Sequence, residues 1–426
     1  MTDRRVLLRA MFDVAVAAAD PRVVLAPHLP KEPKGRVICL SAGKAAAAMA
    51  ATAERYYLDE LRLDPHRLTG IATTRHGHAV STRRIRVVEV GHPIPDEAGL
   101  ASADKALQLA SSARPEDLLL VLLSGGGSAN WVAPADGITF AEKQQLTRAL
   151  LRSGAPIDEI NIVRRHLSRI KGGHLARAGK LAEIITLAIS DVPHDDPSAI
   201  ASGPTVPDST SLADASAIVN KYELQVADGI RRALQNPKNE SCKPNDPCFD
   251  RARFALIARP RASLDAAIVQ AKGAGYEIMD LGADVEGEAC AVAAAQANLA
   301  LEARRSGRRV AILSGGELTV KVRGNGRGGP NQEYALSLTN SLKNITGIAA
   351  IAADTDGADG GGGAASDPAG AIVDERTFSR MNSLGLEAQH FLAANNASAF
   401  FAATGDLLET GPTLTNVNDI RVILVD

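Results

Sequence analysis

Apolar residues recur along this chain in two alternating rhythms. Residues 4–19 carry apolar positions at helical spacing and stop at Asp20-Pro21, which predicts an opening helix. The run RVICL at 36–40 reads as a short buried strand leading through SAGKAAAAMA into an alanine-rich helix. Apolar runs at 68–73, 85–90, 118–123 and 182–189 read as further strands, and helical patterns fill 99–113, 139–152 and 172–178. Several of these strands are apolar on both faces, as strands covered by helices on both sides must be. The stretch LQNPKNESCKPNDPCF is polar, carries three prolines and lacks any period, so it predicts a boundary between domains at 1–237 and 251–426. Beyond it come a strand near 254–259, a helix from 263, a strand near 276–281 and a long helix near 286–306. Strand-like runs follow at 309–313, 318–323 and 347–353, with a helix between the last two, and the tail VNDIRVILVD reads as another strand. The expected fold class is α/β, in two domains.

Composition narrows the function. With 426 residues, 45% hydrophobic and 23% charged, the chain has globular character and room for two cores. Lys and Arg total 47 against 49 Asp and Glu, so no broad basic field exists for nucleic acid or an anionic membrane. Five Tyr, eight Phe and one Trp are too few for a base-stacking surface. Four cysteines are no disulfide scaffold; Cys242 and Cys248 bracket a turn-rich stretch without the second pair that a zinc set needs, and are expected as isolated thiols. There is no uninterrupted apolar run of 18 residues and no secretory leader pattern at the start, so a cytoplasmic protein is expected.

Candidate chemistry lies in glycine turns and in carboxylates at strand ends. Ser41-Ala42-Gly43-Lys44, Ser124-Gly125-Gly126-Gly127-Ser128, Ser314-Gly315-Gly316 and Gly324–Pro330 each place glycine between a strand and a helix. There the backbone can approach an anion and the helix start favours negative charge. In the last, Arg323 and Arg327 flank the turn, Gly326 and Gly328 lie within it, and Pro330 suits a first helical position. Lys44, beside a helix start, opposes the helix dipole unless an anion joins it, and suits a transferring phosphoryl group. The basic stretch RRHLSRIKGGHLARAG, with Arg164, Arg165, Arg169 and Lys171, suits a substrate carboxylate or phosphate. Asp191 follows a buried-looking strand, as do Asp354, Asp356 and Asp359. Such strand ends are where ligands gather, and phosphoryl transfer needs carboxylates to hold magnesium and orient a hydroxyl. Glu317, Asn331 and Glu333 near helix starts suit nucleotide, metal or water, or simple capping. There is no G-x-G-x-x-G, Walker A, H-E-x-x-H or G-x-S-x-G pattern.

The motifs SAGKAA, GHPIPDEAG, LLSGGGSA, NIVRRHLSRIKGGHLA, ISDVPHDDPSAIASGPTVPD, LSGGELTVKVRGNGRGGPNQEYAL and AADTDGADG together span nearly the whole chain. In that order they resemble the glycerate 2-kinases, the two-domain family whose C-terminal part is the MOFRL domain. Some members carry the name hydroxypyruvate reductase. The resemblance implies ATP-dependent phosphorylation of D-glycerate at its 2-hydroxyl, with Mg2+ (or Mn2+) and ATP as co-substrate. It also implies a Rossmann-like N-terminal domain, a smaller C-terminal α/β domain and a site in the cleft between them. It assigns catalytic roles to Lys44, Asp191, Arg323 and Arg327. Glycerate contacts are expected at Ser124, Gly125, Gly126, Arg165 and Lys171, and nucleotide contacts at Gly315, Gly316, Glu317, Gly326, Gly328 and Asn331. Asp354 and Asp356 are the expected metal ligands. No nucleic acid or membrane partner is expected, and a monomer or homodimer is. The alternative reading is an NAD(P)H-dependent reductase of hydroxypyruvate or tartronate semialdehyde, which the missing dinucleotide fingerprint disfavours.

Overall fold

The computed structural model describes residues 3–343, 345–360 and 364–426. The chain divides into two compact units, one running from Val24 to Ile257, the other joining the segment before Val24 to Ala258–Asp426.

In the first unit a six-stranded sheet has the order β3-β2-β1-β4-β5-β6. Its strands are β1 (Val37–Ala42), β2 (Leu68–Arg75), β3 (Ile85–Val90), β4 (Leu118–Leu123), β5 (Glu183–Ile189) and β6 (Ala252–Ala258). β3, β2, β1, β4 and β5 pair in parallel. The inner strands VICLSA and LLLVLL are buried at every position, which explains their unbroken apolar character. This is the strand order of a doubly wound Rossmann-like sheet, and it reverses direction between β1 and β4. A side cluster built on the helices Phe140–Arg152, Ile157–His166, Leu212–Lys221 and Asp228–Leu234 has its own core around Leu146, Val163, Ile218 and Ile230. Capping boxes at Thr139 and Ser211 start two of these helices.

The predicted boundary at 237–251 is corrected. The polar stretch belongs to the first unit: Cys242 and Cys248 are 0% and 2% exposed and pack in the core of the parallel sheet. Pro237 and Pro247 begin tight turns capped by Asn236 and Asp246, and Cys242 exchanges backbone hydrogen bonds with Gly172 and Asp208 at 2.9 Å each. Prolines there shape turns that are held from both sides. The strand expected to open the second domain is β6, an edge of the first sheet.

The second unit takes the opening helix Arg4–Ala17, whose Leu8, Met11 and Phe12 pack with Leu264 and Ala267 of the helix Pro260–Gly273. Its sheet has the order β13-β12-β11-β14-β9-β7. The strands are β7 (Glu277–Asp280), β9 (Val310–Gly316), β11 (Ile348–Asp354), β12 (Gly370–Val373), β13 (Leu407–Leu408) and β14 (Asp419–Val425). β7 and β9 are parallel and the rest antiparallel. The helices Ala289–Arg305 and Pro330–Ser341 cover one face; the opening helix and Pro260–Gly273 cover the other. Burying each such leucine or phenylalanine contributes about 2–3 kcal/mol. The strand predicted at 318–323 shrinks to β10 (Leu318–Thr319), which pairs only with β8 (Gly287–Glu288), and the residues beyond it form an exposed loop. Among the described residues, no helix is long and apolar enough to cross a membrane.

Candidate functional site

The direction reversal between β1 and β4 opens the sheet edge where ligands bind in such folds. In register there, Ala42 lies beside Thr73 and Leu123, and Leu123 beside Ala188. The residues just past these positions, Gly43-Lys44, Ser124-Gly125-Gly126 and Ser190-Asp191, therefore emerge from neighbouring strand ends. The first two loops interlock. Lys44 N donates to Gly125 O at 2.8 Å, Ser124 N to Ala42 O at 3.0 Å, and Ala45 N to Ser124 Oγ at 3.0 Å. Gly43 has φ +125°, and a side chain there would meet Ser124 Oγ at 2.3 Å and Ser124 O at 2.4 Å. Only glycine lets the loops close this far. A side chain at Gly126 would lie 3.3 Å from the His92 ring and 3.4 Å from Lys44 Cγ, so His92 and the stem of Lys44 flank the second turn. The amides of Gly125 and Gly126 donate to no group among the described residues, which leaves two N–H donors for an anion.

Two expected glycerate contacts have other duties. Ser124 is fully buried and its hydroxyl accepts from Ala45 N, just ahead of the helix Ala46–Arg55 that follows β1. Lys171 is 2% exposed and donates to the carbonyls of Ser128 at 2.8 Å and Trp131 at 2.9 Å. Burial, then the nearby cations Lys143 and Arg164, push its pKa well below the usual lysine value. Both residues hold the glycine turn in shape. Arg165 is likewise engaged, with its Nε 3.1 Å from Asp208 Oδ2 and NH1 donating to Ser198 O at 3.3 Å. Burial works to raise Asp208, yet Arg165 and the bonds from Thr210 hold it below its ordinary value.

Asp191 follows β5 and opens a loop with left-handed backbone at His194, Asp195, Ala201 and Ser202. Such conformations cost about 1–2 kcal/mol each for non-glycine residues and persist only where surroundings hold them. Here Gly172 N donates to Ser202 O and Gly173 N to Gly203 O, while Ser202 Oγ lies 2.7 Å from Ser128 Oγ. The Asp191 loop is thereby tied to the glycine turn after β4.

In the second unit the Gly/Arg loop is built differently from a phosphate cradle. Arg323 N and Gly324 N donate to Asn395 Oδ1, Arg327 N to Asn396 Oδ1, and Gly326 N to Ala394 O. A side chain at Gly326 would strike Asn396 Cβ at 2.4 Å, so the glycine serves close approach to the 394–396 turn; Gly328 packs beside Ala397. The start of the helix Pro330–Ser341, expected to face phosphate, is capped by Asp359: Asn331 N and Gln332 N donate to its carboxylate at 2.9 and 2.8 Å. Asn331 is 1% exposed, and its Nδ2 bridges Asp359 and Asp419. Burial, reinforced by Asp419, pushes Asp359 up to about 7. Gly315 and Gly316 also have internal duties: their carbonyls accept from Arg421, and Gly316, at φ +92°, lies against Val285. Asn331, Gly315, Gly316 and Gly326, expected to contact nucleotide, thus have internal hydrogen bonds of their own, and Gly328 packs beside Ala397. Exposed on this loop are the guanidinium groups of Arg323 and Arg327, which have no ion partner among the described residues, and Glu317 is exposed just after β9.

Asp354 ends β11, and Asp356 N donates to Asp354 Oδ1 at 2.8 Å, so the pair shares an aspartate turn. Among the described residues, one group of three His, Cys, Asp or Glu ligand atoms lies within 4.8 Å: Cys242, Asp246 and Cys248. Thiols are poor ligands for Mg2+, whereas carboxylates such as those of Asp354 and Asp356 are the hard-oxygen type that suits it. Sequence pattern alone assigns no role to His92 or Ser190. The Pro-rich motif around His92 signals a turn, but only the fold brings its ring to Gly126.

The first unit is a Rossmann-order sheet with an anion-suited crevice, and the second a mixed α/β sheet with an exposed arginine loop. A family model described as "Domain of unknown function (DUF4147)" matches residues 7–235, and one described as "MOFRL family" matches 310–419. A relative from Agrobacterium vitis is 46% identical over 99% of this chain and 94% of its own, and carries a provisional hydroxypyruvate reductase name. A glycerate 2-kinase from Pyrococcus horikoshii is 37% identical over 98% of this chain and 93% of its own. The crystal structure of a glycerate kinase from Thermotoga maritima superposes with a TM-score of 0.85 at 34% identity, covering 99% of both chains. The chain belongs to the glycerate 2-kinase family with a C-terminal MOFRL domain.

Proposed function

We infer that this chain transfers the γ-phosphoryl group of ATP to the 2-hydroxyl of D-glycerate, giving 2-phosphoglycerate and ADP. The observation that carries the reading is the interlock of the Gly43-Lys44 and Gly125-Gly126 turns at the reversal point of the sheet, in a chain of this family. The turn amides and Lys44 place positive potential where charge develops on a transferring phosphoryl group. Asp191 orients the acceptor hydroxyl and takes its proton. Arg323 and Arg327, exposed on the second unit, are assigned to the nucleotide phosphates, with Glu317 beside them. Bound Mg2+ would neutralise phosphate charge, and Asp354 and Asp356 are the residues that would hold it. The β1 turn lacks the glycine fingerprint that a dinucleotide needs there, which weighs against hydride transfer.

A 31P NMR time course with purified protein, D-glycerate and MgATP tests this directly. Appearance of 2-phosphoglycerate with equimolar ADP is the expected result. A 3-phosphoglycerate signal would keep the kinase and overturn the 2-hydroxyl assignment. No glycerate-dependent ATP loss, together with NADH oxidation by hydroxypyruvate, would overturn both.

A further inference from the structure

The four cations of the 164–171 segment separate once their partners are known. Arg165 pairs with Asp208, and Arg169 donates to Asp104 at 2.6 Å and to Pro134 O. Lys171 is held on the carbonyls of Ser128 and Trp131. Arg164 meets no carboxylate among the described residues; its one polar contact is NH1 to Asn161 Oδ1, at 3.5 Å. It is partly buried, unlike Arg169, which is exposed.

Its surroundings are also positive. Lys143, 4% exposed, donates to Leu167 O at 2.9 Å, and Lys171 lies beyond it. Burial first, then Arg164, pushes Lys143 down to about 7. Three basic side chains crowd together with no carboxylate partner among the described residues, and holding positive charge on all of them costs free energy unless an anion joins the cluster. The cluster also reaches the glycine turn. From Arg164, contacts of 3.5 Å to Asn161 Oδ1, 3.4 Å on to Ser202 Oγ and 2.7 Å to Ser128 Oγ lead to the helix start after Gly125-Gly126.

We propose that Arg164, rather than Arg165 or Lys171, binds the carboxylate of the hydroxy-acid substrate and selects acids over neutral polyols. This assignment rests on the kinase reading above for the identity of the acid. A guanidinium suits the task because its planar fork can hold both carboxylate oxygens. With Arg165 turned to Asp208, the two adjacent arginines divide the work: one braces the segment, the other meets the ligand.

The test compares wild type with Arg164→Gln and Arg164→Lys. Arg164→Gln is expected to raise KM for D-glycerate by about 10- to 100-fold while KM for MgATP stays within about twofold. Arg164→Lys, which keeps the charge and loses the fork, is expected to fall between, and it reads the site if the glutamine variant does not fold. The preference for D-glycerate over neutral glyceramide should fall by the same factor as KM rises. Unchanged D-glycerate KM in both variants would overturn the proposal, and so would a rise confined to MgATP, which would make the bound anion a phosphate. Thermal shift with D-glycerate alone keeps the two readings apart. A stabilisation lost in Arg164→Gln, in a protein that makes no phosphoglycerate, would sink the kinase and keep the carboxylate site. Turnover with no Arg164 dependence of either readout would do the reverse, and wild type that neither turns over nor binds D-glycerate would sink both.

Discussion

Replacing Gly43 by alanine tests whether the two crevice loops need their observed closeness. The new Cβ would sit 2.3 Å from Ser124 Oγ and 2.4 Å from Ser124 O, so one loop must retreat by about an ångström, and a backbone atom cannot rotate away as a side-chain tip can. Overpacking of this kind costs about 1–3 kcal/mol. The φ of +125° adds about 1–2 kcal/mol for a residue with a Cβ. The sum, about 2–5 kcal/mol, corresponds to about 4–20 °C in Tm for a unit of this size. Gly154 supplies the control: its φ is +73° and a Cβ there meets nothing within 4 Å, so Gly154→Ala carries the backbone term alone. Its expected loss is about 2–8 °C on the same scale. Differential scanning calorimetry reads both variants. Gly43→Ala should also lose about 100-fold in kcat, because Lys44 N is held by Gly125 O, and displacing a reacting group by about 1 Å costs that much. If Gly43→Ala melts with Gly154→Ala and keeps its turnover, the argument that the loops must interlock is wrong.

Four further outcomes follow from the same structure. Lys44→Ala should lower kcat by about 100- to 1,000-fold with a Tm near wild type, which steady-state kinetics beside calorimetry will separate. Lys143 titrates near 7 when folded and near 10.5 when unfolded, so between those values the unfolded chain holds the extra proton and stability rises with pH. In urea titrations at pH 7 and 9.5, Lys143→Met should abolish about 3 kcal/mol of that rise, and superimposable wild-type and variant curves would refute it. Asp359→Ala leaves the N–H groups of Asn331 and Gln332 buried without an acceptor, a loss of about 2–5 kcal/mol. Because the folded carboxyl holds its proton up to about 7 and the unfolded one only to 3.8, that loss should be larger at pH 5 than at pH 8 in denaturant melts. Chelation by EDTA should stop phosphoryl transfer, and Asp354→Asn with Asp356→Asn should raise the Mg2+ concentration for half-activation by about tenfold in a titration of rate.

Local sequence was sufficient wherever one segment's pattern answered to one force. Apolar runs marked β1, β2, β4, β5, β9, β11 and β14, most plainly the wholly buried β4, because strands covered on both faces favour apolar residues throughout. Glycine and carboxylate positions at their ends marked Lys44, the 124–128 turn and Asp191 for the same local reason. What sequence pattern could not show depended on partners distant in the chain. Residues 235–250 look like a linker because turns and linkers share prolines and polar residues; the backbone bonds of Cys242 to Gly172 and Asp208 make them a wall of the first unit. The opening helix shows an apolar face but not its partner, which lies some 250 residues away at Leu264 and Ala267. The Gly/Arg loop has the composition of an anion cradle, yet Ala394, Asn395 and Asn396 take its amides and Asp359 takes those of the helix start beyond it, and a group's partner is a matter of three-dimensional distance. The same holds for the basic segment: four basic residues are alike in sequence, and only packing pairs Arg165 with Asp208, turns Lys171 to two carbonyls and leaves Arg164 with no acid partner among the described residues. Residue type and period set which elements form and which chemistry is present. Tertiary contacts decide which charged groups compensate one another inside the fold and which remain to bind a substrate.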